Sequence, residues 1–373
     1  MKVIVAGDFC PQERVAQLFE KGDFSTVLGD VQPILSKADY SIVNFECPVT
    51  KDAGEKPIVK HGPNLHCSRK GVEALKWAGF DCVTLANNHF LDYGGEGVGN
   101  TIDACEELII STVGGGRNIT EASQVLYENI GEKILAIINC CEHEFSIATA
   151  ETGGANPLNP IQQYYAIKEA KSKADYVLVV VHGGHEHFQL PSPRMVETYR
   201  FFIDAGADAV VNHHQHCYSG YEVYHRKPIF YGLGNFCFDR PSNRSGFWTE
   251  GYMVELEFNE DKCSFILHPY LQCADKPSVV MLPSDAYRAK IDELNSVISD
   301  SQALDAAIEE YYNHATAQLG FIYEPIYSKY YNAARIKGII PSMVGKKKVL
   351  AALNYTACES HRDKLLFWLN KHK

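Results

Sequence analysis

The sequence lacks the marks of several large classes of protein. No apolar run reaches the ~20 residues that a membrane-spanning helix needs. The chain opens directly on MKVIVAGD, which reads as a strand and not as a leader. A soluble, cytoplasmic protein without a membrane anchor is the expectation. Basic charge is short, with 35 Lys and Arg against 46 Asp and Glu and a formal charge of −11. Phosphate backbones demand a net basic surface, so no nucleic-acid partner is expected. The 12 cysteines contain no Cys-x-x-Cys pair and no regular framework. Several, such as Cys82 and Cys140, sit inside apolar runs, where a thiol packs as a small hydrophobe; this suits a reducing compartment. Internal repeats and low-complexity runs are also missing.

What is present is histidine, concentrated. Six of the chain's 15 histidines lie between His182 and His216, in VHGGHEHF and NHHQH. Each cluster comes directly after an apolar run, VLVVV or ADAVV, of the kind that forms a strand buried on both faces. Imidazoles at the carboxyl ends of neighbouring strands can converge on one point and are common ligands for zinc, manganese or iron. His214 and His216 are separated by one residue, so both can chelate only if the backbone turns between them.

Other strand ends supply the rest of a site. Lys2–Ala6 runs into Gly7-Asp8-Phe9-Cys10, SIVNF into Glu46-Cys47-Pro48, and DCVTLA into Asn87-Asn88-His89, with Asp92 three residues on. Helix-type spacing alternates with these strands at Arg69–Trp77, Gly97–Leu108, Ile161–Ala174 and Met195–Ala205, which predicts an α/β sandwich. VLYENIGEKILAIINCC predicts a hairpin, and GYEVYHRKPIFYGLGNF a second one turning at His225–Pro228. His143 and Glu144, after the first hairpin, could join the site, though a loop role fits them better. From Ser284 onward the pattern becomes helical without a ligand-type cluster. The expected division is therefore a domain over 1–275 and a helical C-terminal extension over 276–373.

Collected, Asp8, Glu46, Asn88, His182, His214 and His216 make two carboxylates, one amide oxygen and three imidazoles. That set suits two divalent metal ions (Mn, Fe or Zn) sharing a carboxylate. Two ions about 3.5–4 Å apart acidify a water between them for in-line attack on phosphorus. His89, beside a ligand, is placed to protonate the leaving oxygen, with Asp92 fixing its tautomer. His213, His185 and Asn235 are candidates for contact with substrate.

The pattern resembles the capsule-synthesis (poly-γ-glutamate biosynthesis) CapA-like family of the calcineurin-like metallophosphoesterase superfamily. The matching runs are Gly7-Asp8, NFECP at 44–48, ANNHFLDYG at 86–94, HGGHE at 182–186, NHHQH at 212–216 and PIFYGLGNFCFD at 228–239. The resemblance implies a metallophosphoesterase-like four-layer α/β/β/α sandwich. It further implies Asp8 and His216 at a first metal, Asn88, His182 and His214 at a second, and Glu46 bridging. His89 and Asp92 match the superfamily's acid pair. The chain departs from the family in having Cys10 where a histidine is usual, Gly183 for Trp and Gln215 for Pro, and the membrane anchor common in the family is not expected here. The resemblance leaves three readings open: phosphate-ester hydrolysis, cleavage or transfer of γ-glutamyl amides, and a non-catalytic accessory role in polymer synthesis. The implied partner is a small-molecule or anionic-polymer substrate.

Overall fold

The computed structural model describes residues 1–51, 55–60, 62–260, 262–315, 328–342, 344–345 and 356. The strands of its first half are β1 (Lys2–Phe9), β2 (Tyr40–Phe45), β3 (Cys82–Thr84), β4 (Ser111–Val113), β5 (Gly115–Gly116), β6 (Leu126–Ile130), β7 (Lys133–Cys141) and β8 (Gly154–Ala155). Those of the second are β9 (Tyr176–His182), β10 (Ala209–His213), β11 (Tyr221–Tyr224), β12 (Lys227–Phe230), β13 (Asn235–Cys237), β14 (Glu250–Asn259), β15 (Lys262–Gln272) and β16 (Val279–Met281). Two large mixed sheets result. One has the order β16-β15-β14-β1-β2-β3-β4, with β13 also on β1; the other has the order β11-β12-β10-β9-β7-β6. In the first, β1 to β4 run parallel and β14 to β16 pair antiparallel on one side; in the second, the central strands run parallel and the antiparallel pairs lie at the two edges. The parallel strands are buried along almost their whole length, which is why they read as unbroken apolar runs.

The sheets stack face to face. Phe230 of β12 meets Phe265 of β15 edge-on at 5.0 Å between centroids, and Tyr176 of β9 stacks on Phe258 of β14 at 5.1 Å. On the outer face of the first sheet lie α1 (Glu13–Glu20), α2 (Phe24–Leu28), α3 (Gln32–Leu35), α4 (Lys70–Ala78) and α5 (Gly94–Glu107). Val15, Phe19, Leu28, Leu75 and Ile102 from these helices close one core with Ile4, Val43 and Val83. After the short α6 (Ile119–Ala122), α7 (Pro160–Lys173) and α8 (Pro193–Ala205) pack on the second sheet. Proline at the first turn and capping by Asn159 and Ser192 set where these last two begin. The result is the four-layer α/β/β/α sandwich. The hairpin after β11 turns on His225 and Arg226, both left-handed, so Lys227 and Pro228 already belong to β12.

The chain divides into two compact units, Met1–Leu304 and Asp305–Lys373, so the boundary expected near residue 275 moves. β16 pairs with β15, and α9 (Arg288–Ser299) buries Ile291, Leu294 and Ile298 beside β11. These residues complete the first unit's sheets and are not part of an extension. Further on are α10 (Ser301–Ala315) and α11 (Lys329–Ile336). The end of the helical pattern expected from Ser284 onward, residues 346–373, lies outside the described residues apart from Thr356. Among the described residues no helix is long and apolar enough to cross a membrane.

Candidate metal centre

Parallel pairing brings the carboxyl ends of both sheets to one edge, where side chains that cannot pair within a sheet project together. Asp8 lies opposite Asn44 across β1 and β2, and His182 lies opposite both His213 and Cys141 across β9, β10 and β7. Glu46 comes directly after β2, and Asn88 shortly after β3. The loop after β10 then reverses: His214 has φ 91° and His216 φ 54°, a conformation that non-glycine residues rarely adopt. That reversal is the turn the H-x-H pair requires, and it lets both rings reach one pocket.

Two groups form there, Glu46–His182–His214 and Asp8–Glu46–His216; within each, the ligand-type atoms all lie within 4.8 Å of one another. His182 Nε2 is 3.1 Å from His214 Nδ1, 3.0 Å from Asn88 Oδ1 and 3.7 Å from Glu46 Oε1. His216 Nε2 is 3.7 Å from Glu46 Oε1, and His216 Nδ1 is 3.8 Å from Asp8 Oδ2. The six side chains collected from the sequence are thus brought together. Asn44, expected only as part of its strand, donates through Nδ2 to Asp8 Oδ1 at 2.7 Å and lies 3.2 Å from His182 Nδ1.

The pocket is electrostatically unbalanced as it stands. Glu46 is fully buried, and among the described residues neither of its carboxylate oxygens has a hydrogen-bond partner. Burial, then the nearby Asp8, push its carboxyl well above the ordinary value. Burial pushes Asp8 up to about 6 against the opposing influence of His216 and Asn44. The imidazoles move the other way. Burial, reinforced by neighbouring histidines, holds His182 well below its ordinary value and takes His214 down to about 3; burial takes His216 to about 4. Neutral imidazoles beside a carboxylate with no partner form a donor set that divalent cations satisfy and that protons satisfy poorly. The residues present therefore fit such ions.

Beside this pocket His89 Nδ1 is 2.6 Å from Asp92 Oδ2, and Leu65 N donates to the same oxygen at 2.7 Å. Lys60 buries its ammonium against Asp92 and 3.1 Å from His89 Nδ1. No sequence signal marks it, because its partners lie about 30 residues away in a turn. Glu144 also arrives, the less favoured of its two expected roles: it accepts from Asn88 and lies 3.9 Å from His214 Nε2.

Two of the three expected substrate contacts lie elsewhere. His213 is buried between the sheets, with Nε2 2.9 Å from the Ala6 carbonyl; it ends a strand on the face opposite its neighbour's. Asn235 stands behind His216, its Oδ1 2.9 Å from His216 Nδ1 and its Nδ2 donating to the Trp248 carbonyl, so it orients that ring. His185 is half-buried at the rim, near Glu142 and Arg194. The Cys10 thiol accepts from Gln12 Nε2 at 3.4 Å and is in neither ligand group. A side chain on Gly183 would run into Glu142, which pairs with Arg194, and Gln215 Nε2 donates to the Phe188 and Leu190 carbonyls. Both positions thus build a wall of this chain's own.

Fold and pocket together define the class: a four-layer α/β/β/α protein whose strand ends gather buried His, Asp and Glu groups suited to metal. Within that class, the chain belongs to the bacterial capsule synthesis family, whose model, described as "Bacterial capsule synthesis protein PGA_cap", matches residues 2–240. It is 35% identical over 253 residues to the capsule biosynthesis protein CapA of Bacillus anthracis, a match covering 66% of this chain and 61% of that protein. It is 32% identical over 242 residues to the PGA biosynthesis protein CapA of Bacillus subtilis, covering 64% and 63%. The matches thus span about three-fifths of these relatives' length. The structure of Haemophilus influenzae NAD nucleotidase aligns over 84% of this chain and 60% of that one, at 14% identity and a TM-score of 0.44.

Proposed function

We propose that the chain is a metal-dependent hydrolase and that its reaction is hydrolysis of a phosphate ester. The observation that carries this reading is Glu46, a buried carboxylate without a hydrogen-bond partner that is common to two adjoining ligand groups. Asp8, His216 and Glu46 would hold one divalent cation; Asn88, His182, His214 and Glu46 would hold another, with Mn, Fe or Zn suiting the oxygen and imidazole donors. Cations bound there supply Lewis acidity at phosphorus and acidify water.

The remaining work falls to the chain's own side chains. Asn235 sets His216 so that its Nε2 faces the pocket. Asp92, against His89 Nδ1, leaves Nε2 as the nitrogen that can carry a proton to the leaving oxygen, and the His89 ring lines the adjoining cavity. Strand-end burial excludes bulk water from the reacting groups. A second reading, cleavage or transfer of γ-glutamyl amides with an anionic polymer as substrate, draws support from the capsule-synthesis description of the family.

The test is turnover by metal-loaded protein of an aryl phosphate and of a γ-glutamyl peptide. We expect phosphate release, and we expect His89→Ala to lower it by about 100-fold or more while bound metal stays constant. Cleavage of the γ-glutamyl peptide without phosphate release would select the second reading. Indifference of any measured function to His89→Ala would indicate an accessory role.

A further inference from the structure

A cavity of about 500 Å³ opens beside the candidate metal centre, with both His216 and His89 in its wall. The loop from Phe238 to Ser242 lines the same cavity and continues to Arg244, with Phe238 edge-on to His216 at 5.5 Å. Arginines gather along this loop. Asp239 is fully buried and clamped from two sides. Arg14 donates to it through Nε at 2.8 Å and Nη2 at 2.9 Å, and Arg244 through Nε at 2.9 Å and Nη2 at 3.2 Å. One carboxylate between two guanidiniums leaves a net positive charge behind the wall.

Arg240 differs from both neighbours. It is exposed, and its guanidinium lies 5.6 Å from the centre of the Trp248 ring. Among the described residues it has no ion-pair partner. The same Trp248 ring lies tilted against His216 at 4.9 Å, so one buried aromatic supports a candidate metal ligand and an exposed guanidinium together. Glu13 and Glu186 also line the cavity, Glu13 beside Arg14 on the Asp239 side. Among the described lining residues Arg240 is the one lysine or arginine, and so the side chain that can accept an anion there.

We propose that the Phe238–Arg244 loop is a subsite for a second anionic group on the substrate, remote from the bond that breaks, and that Arg240 recognises it. A ligand whose reacting phosphate sits by His216 and His89 and which fills the cavity extends to this loop. The substrate class is thereby narrowed to phosphate esters that carry a further carboxylate or phosphate. This deepens the phosphoesterase reading and rests on it for the identity of the reacting group.

The experiment is calorimetric titration of the metal-loaded full chain with two non-hydrolysable probes, phenylphosphonate and 3-carboxyphenylphosphonate. The wild type should bind the carboxylated probe about tenfold more tightly, the usual size for one charge-assisted contact. Arg240→Ala should bring the ratio close to one and leave phenylphosphonate binding unchanged, while Arg240→Lys should keep part of the preference. Arg240 makes no side-chain hydrogen bond among the described residues, so both variants should melt as the wild type does. Equal binding of the two probes by the wild type, a ratio untouched by Arg240→Ala, or failure of both probes to bind would overturn the subsite. An Arg240-dependent preference for the carboxylate in a protein that turns over no phosphate ester would overturn the phosphoesterase reading and leave the anion subsite standing. Replacing the ring carboxylate by a second phosphonate then distinguishes the two sources of charge.

Discussion

At the scale of single residues, Glu46 carries the largest uncompensated electrostatic cost in the pocket. A carboxylate with zero exposure and no donor is held there by the fold and not by its own interactions. Glu46→Gln keeps the shape and removes the charge. It should raise the stability of chelator-treated protein at pH 7 by about 1–2 kcal/mol and reduce bound metal to background. Thermal melts with metal analysis check both, and unchanged metal content would contradict the shared-ligand reading. Lys60 shows the complementary case, a buried cation that answers a buried anion, with 2% and 0% of the two side chains exposed. Lys60→Met removes the lysine counter-ion of Asp92 and should cost about 3 kcal/mol, whereas adding Asp92→Asn should recover most of it. Urea unfolding of the four proteins in that cycle measures the coupling.

Among the elements, the contact of β1 with β13 sets the geometry of the centre, because Asp8 and Asn235 face each other across it. Asp8 N donates to the Gly234 carbonyl at 3.1 Å, and a Cβ on Gly7 would lie 1.9 Å from that same oxygen. Only glycine permits the approach. Gly7→Ala should destabilise the protein by about 3 kcal/mol or more, since backbone and not a flexible side chain stands in the way, and should lower metal content by displacing Asp8. Gly99, inside α5 with nothing within 4 Å of its ideal Cβ, is the control, where alanine should add about 0.5–1 kcal/mol. Chemical denaturation with metal analysis separates the two outcomes. If Gly7→Ala retained full stability, β13 would not be held as described.

For the whole molecule, the first unit is tied across its sequence by the clamp on Asp239. Arg14, 225 residues earlier, reaches Asp239 and the carbonyls of Cys273, Ala274 and Asp275. Burial pushes the Asp239 carboxyl up, and Arg14 with Arg244 more than offset this, leaving it below its ordinary 3.8. A depressed carboxyl stabilises the folded state fully above its unfolded value and progressively less as pH falls through the folded one. The wild type should therefore exceed Asp239→Asn by about 3 kcal/mol from pH 8 down to about 4, with the gap closing below that. Melting curves across this range test it, and a gap independent of pH would show that the two guanidiniums are not what Asp239 contributes.

Much of this was legible in the amino-acid order. VLVVV and ADAVV announce buried parallel strands because apolar runs of that length are stable only between two covered faces, and a residue just past such a strand is confined to the sheet edge. Asp8, Glu46, Asn88, His182, His214 and His216 could be collected on that ground alone. The short helices α1–α3 could not, since α1 has no side-chain cap and α2 and α3 are only 5 and 4 residues long. His213 and His214 are adjacent, yet one turns into the core and the other into the pocket; that choice depends on a backbone reversal which no local pattern encodes. Lys60 against Asp92, Asn235 behind His216, and Arg240 over Trp248 while Arg14 and Arg244 hold Asp239 all depend on distant segments meeting. The sequence by itself thus determined which strands form and which side chains stand at their ends. Only the tertiary structure decided which way each one faces and what it touches, because direction and partner are properties of packing between remote parts of the chain.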